Sequence, residues 1–344
     1  MTHADQYLTA SEAARRLGVS AKALRLYEQR GLLRPTRTES GWRTYGPDAM
    51  ARAGEIAALR ALGFSLAQIG RVLAGDPEGL EAALASHQST LEARARQLSG
   101  MIQKVRSLRS DIVQGRPPSI NELTRLSRHD SDVRIAFDLP WPWGGEQFEL
   151  RDLRPLTWIV GPLGSGKTRF ARRLAEVLPG AVFLGLDRLE DAGSAIRARL
   201  EPDSALKARV DRTLAWLVED GAIASDALAL LLAGLEDDEP AALVVDMIEQ
   251  GLDQASQQAL AAHLRRRGAK GPPVFAMTRS NAMLDLAEVT AEEAIILCPA
   301  NHSPPSLVAA VPGAPGFEAV ATCLAAPDVR ARTDGVIAWR PQVA

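Results

Sequence analysis

Cysteine is nearly absent: Cys298 and Cys323 are the only two in 344 residues, and they lack the close spacing of metal ligands. That excludes a disulfide-stapled scaffold and argues against a zinc site. Long apolar runs are missing too. No stretch approaches the roughly 20 residues of a membrane span, so no membrane partner is expected. The opening Met1-Thr-His-Ala-Asp-Gln has no basic-then-apolar signal pattern, and a reducing cytoplasm is the expected location. A charge excess of one sign is also lacking, with 40 Lys+Arg against 42 Asp+Glu. The balance hides an asymmetry. Residues 1–75 carry 11 basic against 6 acidic side chains, which leaves 29 against 36 in the remainder. A basic head on an acidic body places a nucleic-acid contact in the head.

What is present begins with Thr9-Ala-Ser-Glu12, a capping box that starts a helix through Leu17. Gly18-Val-Ser20 makes a tight turn, and Ser20 is placed to cap a second helix to about Gln29. Two short helices joined through glycine predict a helix-turn-helix, whose second helix enters the major groove of DNA. On that helix Lys22, Arg25 and Tyr27 offer groups to bases and phosphates, while Leu24 and Leu26 face inward less clearly than usual. The segment Arg34 to Tyr45, with Gly41 at its turn, predicts a hairpin wing carrying Arg43 and Tyr45.

These residues also carry a resemblance. Leu24-Arg-Leu-Tyr-Glu28, Gly31-Leu-Leu-Arg-Pro35, Ser40-Gly-Trp-Arg-Thr-Tyr45 and Leu62-Gly-Phe-Ser-Leu-Ala-Gln-Ile69 closely resemble the MerR family of transcription regulators. The resemblance implies a winged helix-turn-helix that binds palindromic double-stranded promoter DNA as a dimer. It also implies that Arg25, Tyr27 and Arg43 hold the DNA backbone. RNA polymerase is the further partner such a role suggests. Trp42 and Leu26 stand where the family pattern has tyrosine, departures expected to be conservative for packing.

From Pro77 to Ile112 a single helix about 54 Å long is expected. Leu84, Leu91, Leu98, Val105 and Ile112 recur every seven residues, with a second seam at Leu80, His87, Arg94, Met101 and Leu108. A heptad pattern over more than four repeats predicts a paired helix, hence a homodimer through residues 80–112. His87 and Arg94 would then set register. MerR-like metal sensors carry cysteines near the end of this helix; here there are none.

In the body, Leu156 to Val160 reads as a strand that runs into Gly161-Pro-Leu-Gly164-Ser165-Gly166-Lys167-Thr168 and then a helix. Strand, loop and helix N-terminus in that order place backbone N–H groups around a phosphate, with Lys167 for the β- and γ-phosphates and the Thr168 hydroxyl for Mg²⁺. ATP or ADP with Mg²⁺ is the expected ligand. Ala241-Ala-Leu-Val-Val-Asp246 reads as a strand ending in a second Mg²⁺ ligand. Asp246 to Leu264 and Pro273 to Arg279 are similar to the Walker B, D-loop and switch regions of ABC-type ATPases. The resemblance assigns Asp246 and Arg279 to the nucleotide site. Three departures put fast hydrolysis in doubt. Met247 stands where those enzymes have the water-polarising glutamate, Arg279 stands at the switch histidine, and no LSGGQ-like stretch occurs between Asp187 and Pro240. Glu249 or Asp253 are the candidate substitutes for the missing catalytic carboxylate.

The fold class expected is therefore multidomain: an all-α winged helix-turn-helix with a long dimerisation helix, followed by an α/β P-loop nucleotide-binding domain. The boundaries are 1–75 for DNA binding, 76–114 for the coiled coil, 115–145 for a linker and 146–344 for the P-loop domain. The function expected is a regulator whose nucleotide domain acts as sensor. The alternative is an active ATPase or a P-loop small-molecule kinase fused to a DNA-binding head. The kinase version rests on Val182-Phe-Leu-Gly-Leu-Asp187, an aspartate placed to hold an acceptor hydroxyl.

Overall fold

The chain divides into two units, Met1–Val133 and Arg134–Ala344. The computed structural model describes residues 7–76, 80–113, 135–151, 153–194, 198, 200–268 and 271–331. In the first unit, Thr9 caps α1 (Ala10–Leu17), accepting from the Glu12 N–H while Glu12 returns to the Thr9 N–H at 2.8 Å. Gly18 closes the helix at φ 67°, a left-handed conformation that favours glycine. Ser20 caps α2 (Ala21–Gln29) by accepting from the Ala23 N–H. The wing is a hairpin of β2 (Thr36–Arg37) and β3 (Arg43–Tyr45), and β3 also pairs with β1 (Leu8–Thr9), a third strand that short sequence runs did not announce. Helices α3 (Pro47–Ala61) and α4 (Leu66–Leu73) complete a core built on Leu24, Tyr27, Leu33, Tyr45, Ile56, Phe64 and Ile69.

Two expectations change here. Leu24 is fully buried, so the second helix does have a defined inner face. Trp42 is 75% exposed at the wing tip, so its replacement of tyrosine does not serve packing.

Helix α5 (Leu80–Val113) runs 34 residues, about 51 Å. Leu84, Leu91, Ile102, Val105 and Ile112 are exposed along it. The side chains of His87, Arg94, Leu98 and Met101, expected at the two seams, lie outside the described residues, as do residue 114 and residues 115–134 of the expected linker.

The second unit is built on a six-stranded sheet of order β11-β10-β6-β9-β8-β7. Its strands are β6 (Leu156–Val160), β7 (Ala181–Leu184), β8 (Ala242–Val245), β9 (Val274–Met277), β10 (Glu293–Leu297) and β11 (Ser306–Leu307). All neighbours are parallel except β11, which runs antiparallel to β10. Parallel strands covered on both faces are apolar throughout, and every residue of β6, β8 and β9 is buried. Trp158, Val160, Leu243, Val245 and Ala276 face one side, against helices Ser204–Glu219 (α7), Asp226–Leu235 (α8) and Gln254–Arg267 (α9). Ile159, Val244, Phe275 and Met277 face the other, against α6 (Lys167–Val177) and a small hairpin.

That hairpin corrects the linker boundary. Ile135–Asp138 (β4), inside the stretch read as linker, pairs with Gln147–Leu150 (β5). The reason is its period-two pattern: Ile135 and Phe137 point inward, Ala136 and Asp138 outward. Phe148 packs edge-on to Phe170 of α6 at 4.9 Å, which fastens the hairpin to the helix that follows the glycine-rich loop. No described helix is long and apolar enough to cross a membrane.

Candidate functional site

The glycine-rich loop spans the turn from β6 to α6. Gly161 has no room for a side chain, because a Cβ would strike the Cys298 carbonyl and approach Ser165 Oγ. Gly166 adopts φ 88°, and a Cβ there would stand 2.8 Å from the Trp143 ring. Both glycines are therefore required by close approach or backbone conformation. Lys167, the first residue of α6, folds back across the loop. Its ammonium donates to the carbonyls of Gly161 and Pro162, each at 2.7 Å, and approaches Ser165 Oγ at 3.5 Å. Burial lowers its pKa to about 8, with repulsion from Arg279 acting in the same direction.

Asp246 follows β8 and is 4% exposed. Burial raises its pKa, while a hydrogen bond with Thr168 and the charges of Arg188 and Lys167 oppose that rise. Its Oδ1 has no hydrogen-bond partner. The fold thus brings together Thr168, Lys167 and Asp246, which the sequence separates by almost 80 residues. Because β9 intervenes between β6 and β8, the residues after β9, Thr278 and Arg279, emerge between the loop and Asp246. Arg279 is within charge reach of Lys167. Its backbone N–H donates to Glu249 Oε1 at 2.9 Å.

The two substitutes for a catalytic carboxylate differ in how far they are engaged. Glu249 is 2% exposed, with Oε1 held by the Arg279 N–H. Asp253 is the N-cap of α9: Oδ1 accepts from the N–H groups of Ala255 and Ser256, and Oδ2 accepts from the Ser256 hydroxyl. A helix cap with both oxygens occupied is a structural assignment for Asp253.

Sequence reasoning missed Arg188, just beyond β7. Its Nη1 donates to the carbonyls of Gly185 and Asp246, at 2.7 and 2.8 Å, and its Nη2 to the carbonyl of Met247 at 2.8 Å. Also missed was Trp141, exposed beside α6 with the Arg169 guanidinium 4.3 Å from its ring centroid. His302 proves to be a neighbour of the loop. It adopts φ 59°, and its Nε2 lies 3.1 Å from the Gly164 carbonyl; since that oxygen only accepts, Nε2 carries the proton.

In the first unit Arg25 is exposed on α2 and Lys22 is half-buried. Arg43 donates through Nε to Glu28 at 2.5 Å, and Arg37 reaches the other Glu28 oxygen at 3.2 Å, so the wing is tied to α2. Tyr27 and Tyr45, expected to contact DNA, are buried in the core of this unit. Their rings serve packing because each falls on the inward side of its element.

Two capped helices joined at a left-handed glycine, with a hairpin wing tied to the second helix, define a winged helix-turn-helix. Residues 8–76 match the family described as MerR HTH family regulatory protein. A probable heavy metal-dependent transcriptional regulator of Haemophilus influenzae is 39% identical over 102 residues, 28% of this chain and 80% of the relative. The HTH-type transcriptional regulator HmrR of Sinorhizobium medicae is 35% identical over 124 residues, 33% of this chain and 84% of the relative. The chain belongs to the MerR family and is a MerR-type transcriptional regulator. Among solved structures, an ATP-binding cassette of an ABC transporter in its ADP conformation is similar at 14% identity and TM-score 0.36, over 59% of this chain and 99% of that one.

Proposed function

We propose that this regulator binds double-stranded promoter DNA as a homodimer paired along residues 80–112, and that its α/β unit binds ATP or ADP with Mg²⁺ as a regulatory ligand. The observation that carries the nucleotide reading is the Asp246 carboxylate, buried beside the glycine-rich loop with Oδ1 unpartnered and Thr168 hydrogen-bonded to it. A buried carboxylate beside a hydroxyl is a hard-oxygen donor set that suits Mg²⁺. The cation would neutralise phosphate charge when bound. Lys167 exchanges its two carbonyl acceptors for phosphate oxygens, and the α6 N-terminus, which has no side-chain cap, presents its N–H groups to the same anion. In the head, exposed Arg25 offers a phosphate contact, and Glu28 holds the wing for a second.

The regulatory role follows from what is missing around Asp246. Met247 cannot accept a proton, Glu249 holds the Arg279 backbone, and Asp253 caps α9. Met247 offers no base and Asp253 has both oxygens occupied, which leaves only the buried Glu249, one of whose oxygens holds the Arg279 N–H, and favours binding over turnover. A kinase fits less well. Asp187 follows β7 at the sheet edge, three strands and about 14 Å from β6, too far to present an acceptor hydroxyl to a phosphate held at the loop.

Gel-shift titration of a promoter fragment without nucleotide, with ADP, with ATP and with a non-hydrolysable analogue tests the whole reading. The midpoint should differ by about threefold or more between ADP and ATP, a coupling of about 0.7 kcal/mol or more. Lys167→Ala should abolish the difference and keep DNA binding. Identical midpoints in all four conditions would remove the sensor role.

A further inference from the structure

Arg188 sits beside the proposed site and takes no part in the reading so far. It is 5% exposed, and its hydrogen bonds among the described residues go to three backbone carbonyls. The carboxylates of Asp246, Glu249 and Asp187 lie within reach of its charge, and what calls for an explanation is the planar fork that this group turns to backbone carbonyls.

The explanation lies in the peptide units that follow β8. The Asp246 N–H is held by the Leu184 carbonyl at 2.9 Å, and the chain rejoins the sheet where the Ile248 N–H meets the Met277 carbonyl at 3.0 Å. Between these points the carbonyls of Asp246 and Met247 both turn to one guanidinium, whose two Nη atoms have a fixed separation. Met247 is held at φ 43°, a left-handed conformation that is strained for a non-glycine residue and needs support from its surroundings. The bond from Nη2 to the Met247 carbonyl supplies that support. The turn it maintains leads to Glu249, whose Oε1 receives the Arg279 N–H. One planar group therefore joins the segments after β7 and β8, and the second of these carries Glu249, which holds the segment after β9.

We propose that Arg188 is a positioning residue that aims the Asp246 carboxylate at the phosphate loop and so governs how far a divalent cation strengthens nucleotide binding. The inference rests on the nucleotide reading above. Without the guanidinium, the Asp246–Met247 unit relaxes toward an ordinary backbone conformation and the carboxylate turns away from Thr168. The loop itself, with Gly161, Gly166 and Lys167, has no hydrogen bond to Arg188 among those described and keeps its affinity for phosphate.

The test is the affinity of the full chain for N-methylanthraniloyl-ATP, measured by fluorescence in excess Mg²⁺ and again in EDTA. In the parent protein Mg²⁺ should tighten binding about tenfold or more. In Arg188→Ala that ratio should fall to about two or less, matching Asp246→Asn, while the affinity in EDTA stays within about threefold of the parent. Arg188→Lys, which keeps the charge without the fork, should give an intermediate ratio. A merely structural brace would lower both affinities together and leave the ratio unchanged, and that result overturns the proposal. So does a parent protein that binds nucleotide without tightening in Mg²⁺. If Arg188→Ala loses its cooperative melting transition, the lysine variant decides, and a parental ratio there also overturns it. Failure of the parent to bind nucleotide under either condition sinks the nucleotide reading first and this inference with it.

Discussion

Met247 concentrates the question of turnover in one side chain. It occupies the position directly after Asp246, with a left-handed backbone and a carbonyl held by Arg188. Glutamate carries the same backbone penalty as methionine there, so Met247→Glu should preserve the fold. If the absent carboxylate limits hydrolysis, steady-state ATP turnover should rise about a hundredfold, the lower range for a positioned general base. A rate equal to the parent's would place the limit elsewhere, such as the missing LSGGQ-like segment. This scale also shows what was legible in the sequence. That Lys167, Thr168 and Asp246 come together at one end of the sheet could be read because each lies at a fixed offset from an apolar strand. Arg188 could not, because its partners are backbone carbonyls, which any sequence supplies. Tyr27 and Tyr45 were misplaced for another reason: resemblance gives a position in a motif, and burial depends on which side of the element faces the core.

Among elements, periodicity carried most of the information. The capping box at Thr9–Glu12 and the apolar runs of β6 and β8 lie where the sequence put them, since local hydrogen bonds and continuous burial leave direct signatures. Of the β4–β5 hairpin, the strand at Phe148–Leu150 was legible ahead of β6, and β4 was missed because a four-residue alternation is short against a proline-rich background. Helix α9 offers an element-scale prediction. His263 on its buried face lies 3.1 Å from Glu236 Oε1 through Nε2, and 3.2 Å from Arg266 Nη2 through Nδ1. Nδ1 therefore accepts from Arg266, and a second proton there would face an N–H donor. Burial, with Arg266 and Arg267 nearby, lowers the histidine pKa below its ordinary 6.5. The unfolded chain then binds the extra proton first. Stability is full above pH 6.5 and falls as pH drops below it, by at most about 1.4 kcal/mol per unit. Glu236, whose pKa is also lowered, titrates below its ordinary 4.5, outside the window between 5 and 6.5 in which the histidine is tested. Urea denaturation across that window should show the slope in the parent and a flatter one in His263→Gln. Equal slopes would mean that His263 does not titrate against folding.

For the whole molecule, a head with a basic excess and a body with an acidic one are joined in a chain whose long helix leaves Leu84, Leu91, Val105 and Ile112 uncovered. Pairing two copies along that stripe would give a dimer with two winged helix-turn-helix heads and two α/β units. Each proposed site draws Thr168, Lys167, Asp246 and Arg279 from a single chain, and no LSGGQ-like segment is present for a partner to contribute. Nucleotide binding to the dimer should therefore saturate at one per chain with a Hill coefficient near one. Calorimetry measures both quantities at once. DNA affinity should nonetheless differ between the ADP and ATP states, which requires that one nucleotide favour the DNA-competent arrangement more than the other. Linkage then fixes a reciprocal result: saturating promoter DNA must change the preference for ATP over ADP by the same factor by which ATP in place of ADP changes DNA affinity. Measuring the factor from both directions makes the test independent of any assumed mechanism. Steep positive cooperativity would show that sites are shared across subunits, and the single-chain site would have to be replaced by a composite one.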